Sequence, residues 1–113
     1  MIPGVAMDDK KQKFYVKTND GWYLVTGYAI MYKGIRMFGH RDFRVKDGKL
    51  SLKRSWRISN YETGLLMGSG FADLDKAIEY VVGRIDRMGV DSVREMIEDK
   101  MRSDGVPPYE GGV

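Results

Sequence analysis

Few residues in this chain have the type and spacing to do chemistry. His40 is the only histidine among 113 residues, and there is no cysteine. That excludes a thiolate nucleophile, a disulfide, a His-pair zinc site and any cysteine-ligated metal centre. A serine triad would have to recruit His40, and no Gly-x-Ser-x-Gly elbow is present to serve it. Gly68-Ser69-Gly70 lacks the spacing of a phosphate loop and runs into a helix start carrying Asp73 and Asp75, which would repel phosphate. Asp73, Asp75 and Glu79 read as the capped, charged first turn of a helix. Asp86, Asp91, Glu95, Glu98 and Asp99 read as the solvated sides of two helices. No catalytic residue, metal ligand or cofactor is expected, which points to binding rather than catalysis.

The informative residues are the cations. Residues 33–57 hold nine Lys or Arg against Asp42 and Asp47, a net +7 inside a chain whose total is only +3. Residues 58–113 hold six basic and eleven acidic residues, a net −5. Such a division concerns partners rather than fold.

The elements that must position these cations follow from periodicity. Alternation of period two begins at Phe14 and gives strands over 13–18, 22–32, 35–46, 49–59 and a short 65–70. Asn19-Asp20-Gly21, Lys33-Gly34 and Asp47-Gly48 are turn chemistry, and short connections make the strands an antiparallel meander. Gly27 and Gly39 are the expected positions of bends or bulges. After an Asp73 cap the period becomes 3.6, with Leu74, Ala77, Ile78, Val81, Val82, Ile85 and Met88 forming one stripe. Gly89 caps that helix, and a second, short one runs from an Asp91 cap to about Arg102.

The expectation is an α+β fold: a meander of four to five strands, one face covered by a C-terminal amphipathic helix, then a second short helix. Residues 1–12 read as a flexible leader, 13–103 as a single α+β domain, and 104–113, with Pro107-Pro108 and Gly111-Gly112, as a flexible tail. The start of the chain has neither the basic segment nor the apolar core of a signal peptide. No apolar run approaches the ~20 residues that span a bilayer. A cytoplasmic protein without membrane contact is expected.

Strict alternation sorts the strands by face. Leu50, Leu52, Trp56 and Ile58 share a face, as do Ile35, Met37, Phe43 and Val45, and the helix stripe should cover them. The other face then gathers Arg36, His40, Arg44, Lys46, Lys53 and Arg57, with Phe38, as an open basic surface. Cations interleaved with aromatics suit phosphate backbones and stacked bases. They equally suit an acidic protein partner, or only keep a sheet from pairing edge to edge.

Trp56-Arg57-Ile58-Ser59, Thr63-Gly64, Gly68 to Phe71 and the helix opening Asp75-Lys76-Ala77 together resemble a recurrent pattern in small phage and mobile-element proteins. The likeness covers about residues 22–85. It implies an accessory role in a class that includes anti-CRISPR-type inhibitors, which bind a host nucleic-acid-handling enzyme. The same outline is similar to the AP2-like arm-binding domain of phage integrases, whose sheet lies in a DNA groove. That similarity would give Lys53, Ser55 and Arg57 the DNA-facing positions. Those domains usually carry a second basic cluster on the final strand, and Leu65 to Gly70 has none. The expectation is a non-enzymatic protein that binds and inhibits a host defence protein, such as a CRISPR nuclease, through its basic surface. The alternative is a DNA- or RNA-binding module using the same face.

Overall fold

The structure is a computed structural model and describes residues 2–109. It is α+β, with six antiparallel strands and two helices. The strands are β1 (Val5–Met7), β2 (Gln12–Thr18), β3 (Gly21–Tyr32), β4 (Ile35–Lys46), β5 (Lys49–Asn60) and β6 (Leu66–Phe71). The helices are α1 (Leu74–Met88) and α2 (Val90–Asp104). The meander runs β2–β3–β4–β5–β6, and β1 lies beside β2 along the same edge of β3. Two of its hairpins turn through positive φ at consecutive residues, Lys33-Gly34 and Asp47-Gly48, the handedness that suits strand twist.

The extra strand comes from the segment expected to be a loose leader. Val5, Ala6 and Met7 pair with Tyr32, Met31 and Ile30. Three residues are too short a run for alternation to reveal. The described part of the expected tail is also engaged. Pro107 is fully buried, Tyr109 stacks on Tyr61 with ring centroids 4.8 Å apart, and the Tyr15 N–H donates to the Tyr109 hydroxyl at 2.8 Å. The Gly111-Gly112 part of the expected tail lies outside the described residues.

α1 behaves as its stripe requires. Asp73 caps it by accepting from the Lys76 N–H, and Ala77, Ile78, Val81, Val82 and Ile85 are buried against the sheet with Ile30, Ile35, Met37 and Ile58. The second helix is as long as the first, 15 residues, and begins before Asp91, which lies inside its first turn. Gly89 serves both helices. Its N–H donates to Ile85 O at 2.8 Å and its carbonyl accepts from Val93 N at 3.1 Å. It does so at φ 88°, a conformation costly for a side chain.

The opposite sheet face departs most from expectation. It is covered by a second apolar cluster of Phe14, Val16, Val25, Phe38 and Phe43, with Phe14 and Phe38 stacked at 4.5 Å. β3 leaves β4 at Gly27, the last residue of their ladder, and pairs with β2 from there towards its start. A Cβ on Gly27 would lie 2.4 Å from the Gly39 carbonyl oxygen, so the bend needs a residue without one. β2 then reaches the β5–β6 turn, where the Lys17 N–H donates to Gly64 O at 2.9 Å. The sheet therefore closes partly on itself and holds a core on each face.

Candidate functional site

The six cationic-face residues Arg36, His40, Arg44, Lys46, Lys53 and Arg57 do not form one surface. Two features separate them, the cover that β2 lays over β4 and a break in the β4–β5 ladder. The β4–β5 ladder shifts register between Arg41 and Phe43: Arg41 pairs with Trp56, but Phe43 pairs with Leu52. The irregularity falls there rather than at Gly39, and it inverts the alternation beyond it. Phe43, Val45 and Leu50 therefore join Phe38 in the second core instead of facing α1.

Arg36, His40 and Arg57 are engaged by other residues of the chain, with Arg36 partly exposed and His40 buried. Arg36 lies over the Tyr61 ring at 4.2 Å and pairs with Glu62 at 3.3 Å. Arg57 lies over Phe43 at 4.4 Å and donates to Asp42 at 2.9 Å. His40 is 1% exposed, between the rings of Phe38 and Phe43. Its Nδ1 is 2.9 Å from the Arg41 carbonyl, which can only accept, so Nδ1 carries the proton. Nε2 therefore accepts from the Ser59 hydroxyl at 2.9 Å. This is the tautomer of a general base beside a nucleophile, but Ser59 is as buried as His40 and neither is open to solvent. Burial lowers the His40 pKa to about 4 and keeps the ring neutral.

Asp42 is the polar residue that alternation alone misses. It is buried, and it accepts from Ser55 Oγ, Arg57 Nε and the Gly70 N–H. Burial alone would raise its pKa, but these donors outweigh it and hold the carboxyl below its usual range. One carboxylate thus ties the irregular stretch of β4 and β5 to the end of β6. The signal in the sequence is an acid alone among Arg41, Arg44 and Lys46.

What remains outside is the distal half of the β4–β5 hairpin. Arg44, Lys46, Lys49, Lys53 and Arg54 are all exposed there, with Asp47 the only acid between them. Among the described residues none of the five has a salt-bridge partner. Lys46 sits directly across from Lys49, a like-charge cross-strand pair that costs stability. Leu52, 65% exposed, adds an apolar contact among these charges. At the root of the arm Arg41 stacks over Trp56 at 4.4 Å and donates to the Arg54 carbonyl, stiffening the ribbon where it leaves the body.

Comparison with protein-family models, curated proteins and solved structures returns no match. Among the described residues no three His, Asp or Glu side chains converge as metal ligands, and no helix is long and apolar enough to cross a membrane.

Proposed function

We propose that this chain is a non-enzymatic binding protein that seats its β4–β5 hairpin on an anionic macromolecular surface. One observation carries the reading. Five exposed cations, without salt-bridge partners among the described residues, crowd a two-stranded arm, including the unfavourable Lys46–Lys49 juxtaposition. A local rule broken without an internal gain marks a surface built for something else. The phage-type likeness gives the role its form, an accessory protein that binds and inhibits a host defence protein such as a CRISPR nuclease. A cationic arm is repelled by the basic channel in which such an enzyme holds nucleic acid. It fits an acidic patch outside that channel.

A second reading rests on the shape of the arm, since the major groove of duplex DNA admits a two-stranded β-ribbon. Salt dependence separates the two. With five phosphate contacts, duplex affinity falls with a log–log slope of about −4.5, roughly 500-fold between about 50 and 200 mM salt. A protein interface with a few rim charges shows a far shallower slope. The test is fluorescence anisotropy with labelled duplex DNA, single-stranded DNA and RNA at about 50 mM salt. Host-partner capture is run in parallel before and after nuclease digestion. Capture that survives digestion and is lost in the Arg44→Glu/Lys46→Glu/Lys53→Glu variant supports the protein-partner form. Steep, salt-sensitive nucleic-acid binding lost in that variant establishes the second. An unaffected variant refutes both.

A further inference from the structure

A second surface lies away from the hairpin, where β6, α1 and α2 meet. Leu66, Met67, Met88, Met96 and Ile97 line an apolar groove of about 270 Å³. That is below the roughly 300–1,000 Å³ of small-molecule pockets, and its size suits inserted side chains better than a whole ligand. Met96 and Leu66 are 54% and 53% exposed, and methionines are over-used where a surface must adapt to a partner. α2 itself is under-packed. Over 15 residues only Val93 is buried, although helices of this length draw most of their stability from tertiary packing.

Charge says what would complete it. Among the described residues, the only charged ones lining the groove are Arg84 and Lys100, both cations. α2 carries Asp91, Glu95, Glu98, Asp99 and Asp104, yet none of these lines it. The strip is apolar, and the two charges at its edge are positive. Backbone pairing along β6 is a poorer fit, because the Arg84 guanidinium already donates to the Met67 carbonyl at 3.3 Å. We infer that the groove takes an acidic amphipathic helix from a partner protein. Its apolar residues at i, i+3 and i+7 would enter between Met67, Met88 and Met96, and its flanking carboxylates would meet Arg84 and Lys100.

The proposal is independent of the hairpin, so the two surfaces fail separately. A displayed library of random peptides, about 15 residues long so that helices can form, is selected on the intact protein. The winners are then measured by anisotropy. Enriched peptides should show apolar residues at helical spacing with a net negative charge. Met96→Glu should weaken them by about tenfold or more, Lys100→Glu several-fold, and Met96→Leu hardly at all. Both glutamate variants change exposed positions, and an unaltered urea midpoint confirms their fold. The hairpin variant Lys49→Glu/Lys53→Glu should bind these peptides normally. Enrichment of basic or patternless peptides, no enrichment, or full binding by Met96→Glu would overturn the inference. Sedimentation showing a dimer of this chain that Met96→Glu dissociates would also overturn it, making the groove a self-interface.

Discussion

Between neutral pH and about pH 5 one side chain in this protein is positioned to change stability more than any other. His40 is the only histidine, and its neutral ring is held between Phe38 and Phe43 with both nitrogens hydrogen-bonded. Its pKa is lowered to about 4, chiefly by burial, whereas an unfolded chain protonates at about 6.5. Because the folded value is the lower one, stability is fully present above pH ~6.5 and falls as pH drops towards ~4. Linkage between these two values gives a loss of about 2 kcal/mol at pH ~5 and about 3 kcal/mol at pH ~4. The window is clean because ordinary carboxylates titrate at about 3.9–4.3, below most of it. Asp42, whose carboxyl is lowered, adds its own loss only at the acid end. Urea unfolding at about pH 7 and pH 5, with the m-value as a check on the two-state assumption, measures the difference. The His40→Gln variant should lose the pH ~7 to 5 dependence whatever its absolute stability. Equal wild-type stability at the two pH values, or the same drop in His40→Gln, refutes the reasoning. So does an NMR titration placing the folded-state pKa near 6.5.

Four further outcomes follow from the geometry. Asp42→Ala should destabilise by about 2–4 kcal/mol in urea unfolding, because Arg57, Ser55 and the Gly70 N–H all lose their acceptor. The exposed Arg44→Ala should stay within about 0.5 kcal/mol of wild type. Gly27→Ala should cost about 1–3 kcal/mol, since its Cβ meets the Gly39 carbonyl oxygen at 2.4 Å and backbone must move. Lys46→Thr, which removes a like-charge cross-strand pair, should raise the thermal midpoint slightly while weakening partner binding, the opposite signs expected of a residue kept for function.

Much of the fold is legible in the sequence because local and tertiary preferences agree. The Lys33-Gly34 and Asp47-Gly48 turns, the long strands they join, the Asp73 cap and the α1 stripe all form where spacing puts them. The candidate site is less legible, because sorting residues by face assumes unbroken alternation. One register shift between Arg41 and Phe43 moves Phe43 and Val45 to the other side and separates Arg44 and Lys46 from Arg36, His40 and Arg57. A bulge placed by Asp42, whose partners Ser55, Arg57 and Gly70 lie 13 to 28 residues away, leaves no local mark. The second core is hidden for a related reason. It forms only when β2 folds over β4, and no property of β4 alone shows that Phe38 and His40 are covered rather than wet. β1 and the docking of Pro107 and Tyr109 likewise depend on partners distant in sequence.

Charge reversal on the distal β4–β5 hairpin asks whether that hairpin is the binding surface. The affinity of the Arg44→Glu/Lys46→Glu/Lys53→Glu variant for whichever target the wild type binds, protein or nucleic acid, is to be measured at fixed salt alongside urea unfolding. The fold should be unchanged and binding weakened by at least about a hundredfold, roughly 1 kcal/mol for each reversed charge. Wild-type affinity in a folded variant would show that the hairpin is not the binding surface.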